Sequence, residues 1–587
     1  MQLTGIGVRS QRATLFTATM LAFALITSGL FVPNVGGLKL NSDANAQDNS
    51  QPKRAAETAE AELDSSDPVL VVSIASLNKL VQDINYIAGT AGQAQVGGMF
   101  AMMAGGFAQG LDMSRPIGVI VPIVDGAPEP IGMVPTPDVE AMLKRLEAQT
   151  GPVDRLDDGT LVVAAGPSLV YIRQSGPWAI VARQKEFLDL APADPMSVMK
   201  DLGDNYTLSA RLNVEAIPAD AREALIAQIR QGFESAMAQQ GQGGEGLQAA
   251  SEDSIGQIEQ LIRESAELMF GLNINPEEKI VTIESEFIAA DGTEMAEMYA
   301  GQKVIPSKFA SVIDEDKAMY YHAATSIGPK VIERTRESID GAKLMVSKAI
   351  NDSDDLDDET KAQVSELADA LIKLMLQTIE EGKFDIGVES MADDGQIEFA
   401  AGMFVSDGKA AAQLVKDLAA KLEGTPDVPT FSFDEENYNG VTLHSVKVKI
   451  PAKEAELRQV FGSEAVIKIG TAPKAVYLAL GNDSDKSIKT FIDKGTDTDD
   501  PADRPLGQMQ VSLLPYLRFA QSINANDIVA SMIDILSQNV DTDYVAIESN
   551  VVENGQTSYL EIGEGVLKAI GAAVREVQMQ QQGGGQF

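Results

Sequence analysis

A nucleophile–histidine–acid relay needs an imidazole, and this 587-residue chain has two histidines, His322 and His444. His322 ends the run MYYH, and His444 lies in VTLHSVKV; both runs are of strand type. Ser445 beside His444 is a suitable nucleophile by type. Adjacent residues on a strand point to opposite faces, however, so the two cannot pair. Both histidines are therefore expected to be structural strand residues. No H-E-x-x-H, G-x-S-x-G or P-loop occurs, and no G-x-G-x-x-G follows a strand. The chain has no cysteine. That removes disulfides, thiolate nucleophiles, cysteine-ligated zinc and iron–sulfur clusters.

Carboxylates are the remaining chemistry. One cluster, Asp352, Asp354, Asp355, Asp357, Asp358 and Glu359, lies in the acidic loop 351–359. A second, Asp493, Asp497, Asp499, Asp500 and Asp503, lies in loop 493–503. Calcium wants several such oxygens, but the first cluster lacks the EF-hand glycine and Leu356 breaks its spacing. Solvated loops are expected, the first supplying acids to the N-terminus of the helix that follows. Paired acids for glycoside hydrolysis have no sequence spacing of their own. The single tryptophan, Trp178, offers little stacking surface for a sugar. No catalytic, cofactor-binding or metal-binding residue is assigned, and the expected role is not enzymatic. A hydrolase with a dispersed carboxylate site stands as an alternative.

The stretch Gln95–Met113, QVGGMFAMMAGGFAQGLDM, carries no charge before Asp112. Methionine is flexible and polarizable and adapts to varied apolar surfaces. Met99, Phe100, Met102 and Met103 are accordingly the candidates for contact with an apolar ligand, with 96–113 as a lid over a sheet. A buried helix whose glycines allow close packing is the plainer expectation.

Asp and Glu total 86 against 46 Lys and Arg, a formal charge of −40. That surface repels phosphate backbones, so nucleic acid is excluded as a partner. Arg9 and Arg12 precede the uncharged run Ala13–Val32, and Ala44-Asn45-Ala46 offers a small-residue cleavage site. Together these read as a secretory signal cleaved after Ala46, which places the protein in the periplasm or outside the cell. The run is also long enough to span a bilayer uncleaved, and residues 13–32 would then anchor the chain in the membrane.

The elements that must position any site are legible in Lys383–Glu423. Phe384, Ile386 and Val388 alternate, a turn follows, and Ile397–Val405 is a second strand-like run. Asp407-Gly408 then leads into helical spacing at Ala412, Val415, Leu418, Ala419 and Leu422. Looser copies of this ββα unit recur. Val281–Ser285 (VTIES) is echoed by Val545–Ser549 (VAIES), and Ala290-Asp291-Gly292 by Ser406-Asp407-Gly408. The expected fold is α+β, with two related halves built from ββα units, mainly antiparallel sheets and helices packed on one face. The expected layout is a signal over 1–46, a linker over 47–66, a first half over 67–303 and a join over 304–313. A second half over 314–579 and a Gln/Gly tail over 580–587 complete it.

Tyr206–Gly232 (YTLSARLNVEAIPADAREALIAQIRQG) and Phe270–Gly301, with the secretory segment, resemble extracytoplasmic proteins of planctomycete-like bacteria. That resemblance covers about half of the mature chain and implies no activity, ligand or catalytic residue. The sequence thus leads to an extracytoplasmic structural or binding protein of the cell envelope. Its partner is expected to be another envelope protein or, alternatively, an apolar ligand that it carries.

Overall fold

The computed structural model describes residues 68–165, 168–240, 255–256, 258–351, 358–393, 395–422, 429–495 and 504–583. The expected signal and linker, and residues 352–357 and 496–503 of the two acidic loops, lie outside the described residues.

In chain order the structure begins β1 (Leu70–Ile74), α1 (Leu77–Thr90), α2 (Ala94–Phe107), β2 (Ile117–Val121), β3 (Ile123–Val124), β4 (Ala127–Pro128) and β5 (Ile131–Pro135). It continues α3 (Val139–Thr150), β6 (Val153–Arg155), β7 (Leu161–Ala165), β8 (Ser168–Ser175), β9 (Trp178–Ala182), α4 (Met196–Asn205), β10 (Leu208–Asn213) and α5 (Ala219–Gln240). Next come β11 (Ser265–Asn275), β12 (Ile280–Ala289), α6 (Glu294–Ala300), β13 (Met319–Ser326), α7 (Pro329–Asn351), α8 (Asp358–Glu380), β14 (Lys383–Asp393), β15 (Gln396–Phe404) and α9 (Gly408–Leu422). Then follow β16 (Thr430–Tyr438), β17 (Val441–Lys449), α10 (Ala455–Phe461), β18 (Glu464–Ala472), β19 (Ala475–Leu480) and α11 (Ser484–Lys494). The chain closes with β20 (Gly507–Ser512), α12 (Leu513–Ile523), α13 (Asp527–Leu536), β21 (Tyr544–Val552), β22 (Gly555–Gly563) and α14 (Glu564–Gly583).

Apart from the β3–β4 hairpin, the strands form one 20-stranded sheet. From edge to edge its order is β6-β7-β8-β9-β5-β2-β1-β10-β11-β12-β22-β21-β20-β13-β14-β15-β19-β18-β17-β16, antiparallel throughout. The fold is α+β, as the alternating runs implied. The seam of the sheet is β12 against β22, paired from Ile280↔Gly563 to Ile288↔Gly555. Gly555 is needed there for space: a Cβ on it would stand 1.9 Å from the Phe287 carbonyl oxygen.

Residues 383–422 form two paired strands and a helix, as expected. Asp407 Oδ1 accepts from Lys409 N at 2.9 Å and Ala410 N at 3.1 Å, capping α9. Gly408 is required by close approach, since a Cβ would lie 1.7 Å from Ala472 O.

Helices cover both faces of the sheet, not one. Met199 and Leu202 of α4 pack with Val71, Ile120, Met133 and Ile180. Val139, Met142 and Leu143 of α3 pack with Leu161, Val163, Ile172 and Ala179. Ala179 and Ile180 are neighbours on β9 and point oppositely, so the two helices lie on opposite sides. On the α3 side, α7 and α8 cover Ala323, Ile386 and Phe384 of β13 and β14. On the α4 side, Ile488, Phe491 and Ile492 of α11 cover Ala400, Tyr477 and Ala479.

Other boundaries differ from expectation. The spacing predicts helix from Asp253 to Phe270, but β11 starts at Ser265 because it pairs with both β10 and β12. The expected tail begins at 580, whereas α14 runs to Gly583. The VTIES and VAIES echo does not mark equivalent strands: β12 and β21 are the two neighbours of β22, in register through Ile562, Leu560 and Ser558. The free edges are β6, three residues long, and β16, which carries a bulge between Ser432 and Glu436 with Asp434 at φ 52°.

Candidate apolar binding face

Strand alternation gives every part of the sheet two faces, and on β2, β1, β10 and β11 one face is mixed, with Ser73, Ser209, Arg211 and Glu267 among its apolar residues, while the other is apolar throughout. One face carries Val71, Ile120 and Met269, sealed under α4 at no more than 8% exposure. The other face aligns three rungs. The first is Ile117–Ile74–Leu208–Leu272, the second Val119–Val72–Ala210–Phe270 and the third Val121–Leu70–Leu212–Leu268. None of these twelve side chains is fully buried, and Leu208 and Phe270 are 38% and 44% exposed. The first rung continues across the seam through Ile283 and Leu560 to Ile547 and Met509. Ile547 is itself 40% exposed.

From β2 to β20 the first rung crosses eight strands, roughly 34 Å at about 4.8 Å per strand. A soluble fold ordinarily seals such a surface under a helix, and contiguous exposed apolar area of this extent marks a binding surface. The helices of this side stop at its margins. Leu111, which follows α2, packs with α3 and Val134. Ala296 of α6 seals the far end of β11 and β12 against Leu268 and Phe287. At the Ile74 end, α1 is tied to the strand ends by Lys79 Nζ, which donates to Ile274 O at 3.1 Å and to Asp83 Oδ2 at 2.9 Å. The buried Asp83 also accepts from Thr207 Oγ1 at 2.6 Å. A cleft of about 510 Å³ opens beside this tie, lined by Ser76, Lys79, Gln82, Asp83 and Glu277.

The candidates from the Met/Gly stretch lie on α2. Met99, Met102 and Met103 stand 55%, 74% and 56% exposed, and Phe100 is half-buried. The helix is not a buried one: only Gly97 and Ala104 on it are buried, with Gly97 tight against Asn85 and Ala88 of α1. Sequence reasoning missed the rungs themselves, although the alternation in VLVVSI and YTLSARLNV carries half of them.

His322 is fully buried, 3.0 Å from Ser307 Oγ. Ser307 donates to Asp385 Oδ1 at 2.5 Å and accepts from Phe309 N at 2.9 Å. Asp385 also accepts from Lys308 N at 3.1 Å, and burial pushes its carboxyl above the usual range. Serine, histidine and aspartate thus meet, but none exceeds 7% exposure. Ser307 sits between the other two and its hydroxyl proton is committed. The arrangement clamps 305–309 onto β13 and β14; it offers a substrate no approach.

His444 Nδ1 accepts from Asp434 N at 3.1 Å, which leaves Nε2 to donate to Thr471 Oγ1 at 3.1 Å. Burial holds its pKa below the ordinary value. Ser445 turns the other way and donates to Glu435 at 2.9 Å. Glu435 belongs to a charge network in which Lys468 reaches Glu435 and Asp485, and Lys489 reaches Asp485 and Glu436. Asp493, the described member of the second acidic cluster, accepts from Tyr438 and Asn439. Among the described residues no group of three or more His, Asp or Glu is placed to hold a metal ion. No helix among them is long and apolar enough to cross a membrane.

No protein-family model, curated protein or solved structure matches this chain. The reading of function rests on its own geometry.

Proposed function

We propose that this chain is an extracytoplasmic carrier of an apolar or amphiphilic ligand, bound along the open rungs of β2, β1, β10, β11, β12, β22 and β21. The observation that carries the reading is the line of apolar side chains that crosses eight strands from Ile117 to Met509, on which Leu208 and Ile547 stand exposed. The extended shape suits a long hydrocarbon chain better than a compact ring system. The secretory segment over 1–46 supports a place outside the cytoplasm. A purely structural envelope role gives no reason for the open face.

The reading is tested by titrating the purified chain with a conjugated polyene fatty acid, whose fluorescence rises on leaving water. Saturable binding that Leu272→Glu abolishes supports it. Absence of saturable binding, or binding indifferent to Leu272→Glu, refutes it.

We further infer that the two halves descend from one duplicated unit. Counted outward from the seam, one side runs β12, β11, β10, β1, β2, β5, β9, β8, β7, β6 and the other β22, β21, β20, β13, β14, β15, β19, β18, β17, β16. Each position has its counterpart in chain order once the β3–β4 hairpin is set aside, and helices interrupt both paths at similar places. Splitting the chain within 304–313 and co-expressing the pieces tests this. Two fragments that associate into the native complex support it, and fragments that are each soluble yet never associate refute it.

A further inference from the structure

The exposed apolar residues away from the sheet are concentrated. Nine of the twenty exposed large apolar side chains among the described residues lie on α2 and on α14 from Ile570 onward. On α2 they are Val96, Met99, Met102, Met103 and Phe107; on α14 they run from Ile570 to Met579. The two helices are joined through the end of α1. Arg575 Nη1 donates to Ala91 O at 2.9 Å, and Gly571 packs against Ala91 so closely that a Cβ would stand 2.2 Å from its carbonyl oxygen. Both thus meet at the C-terminal end of α1, and their exposed apolar side chains flank that junction as a platform.

Its chemistry is distinctive within this chain. Residues 84–111 contain no Asp, Glu, Lys or Arg, in a protein that is 22% charged. A protein partner would leave polar rim contacts to be matched, and α2 offers few: Gln95 is its single polar side chain. A bilayer surface asks for apolar side chains to bury, and on this platform the charged groups are confined to Arg575 and Glu576 of α14. The formal charge of −40 adds a condition, because an anionic membrane would repel the molecule.

We propose that the α2–α14 platform docks on the surface of an electrically neutral bilayer. Docking there brings the carrier to the source or destination of an amphiphilic cargo. The proposal extends the carrier reading and is separable from it by experiment.

The test is flotation of the full chain with phosphatidylcholine vesicles, repeated with increasing phosphatidylglycerol at low salt. Expected is association with neutral vesicles, a stepwise loss as anionic lipid is added, and at least a fivefold loss for Met102→Glu/Met103→Glu. These positions are more than half exposed, so that variant keeps its fold, which circular dichroism checks. Leu272→Glu is expected to keep vesicle association while losing the polyene fatty acid, which separates failure of the carrier reading from failure of docking. No association with any vesicle, association indifferent to the methionine substitutions, or a vesicle-free dimer that these substitutions dissociate would each overturn the proposal. The last result would assign the platform to a second copy of the chain.

Discussion

Phe270 and Met269 are neighbours on β11 with opposite surroundings, and substituting each separates a binding face from a packing face. Phe270 is 44% exposed on the open side, whereas Met269 is 8% exposed beneath α4. A phenylalanine side chain buries about 200 Å² when fully covered. The uncovered fraction is therefore about 90 Å². At about 25 cal/mol per Å², covering it with ligand contributes roughly 2 kcal/mol, or ~30-fold in Kd. Phe270→Ser should weaken binding of the polyene fatty acid by that order. The other ~110 Å² of the ring is already covered by the protein, so the unliganded fold should lose about 2–3 kcal/mol as well. Met269→Ala should show a similar loss of about 2–4 kcal/mol in urea denaturation but near-normal affinity in whatever remains folded. If Phe270→Ser leaves Kd within twofold, the face does not hold the ligand and the reasoning fails.

Other consequences are sharper in sign than in size. The unfolded chain protonates His444 near pH 6.5, while the buried ring takes up that proton only at lower pH. Stability should therefore fall as pH drops from about 7 through that window, by about 1.4 kcal/mol for each unit of depression, with the slope reduced in His444→Gln. Gly555→Ala drives a Cβ into the Phe287 carbonyl at the seam and should cost about 3 kcal/mol or more in thermal unfolding. Gly98→Ala meets nothing within 4 Å on the exposed side of α2, and should raise stability by about 0.5–1 kcal/mol.

What the sequence disclosed depended on how local the cause was. The Lys383–Leu422 unit was readable because its alternation, its Asp407 cap and its helical spacing are all decided within a few residues. The start of β11 was not, since Ser265–Met269 has good helix formers and becomes strand only by pairing on both sides. Helix α4 carried a signal in Met196, Met199 and Leu202, hidden by its length of ten residues and by Pro195. Strand β16 alternates only through Phe431 and Phe433 before its bulge. The partners of His322 lie 15 and 182 residues away, at Ser307 and Arg504, and nothing short of the topology unites them. The open face had the weakest signal of all. Apolar alternation states that a strand has a side to hide, and it does not state whether the protein supplies the cover.

The two ends of the sheet carry a consequence of their own. Twenty strands in one ladder present only two rows of unpaired backbone groups, at β6 and at β16. The first is three residues long and bears the exposed Asp154 and Arg155. The second is bent at its bulge and lined by exposed Asp434, Glu435 and Glu436. A neighbouring chain approaching either border finds too few amides to bind and charges it must strip of water.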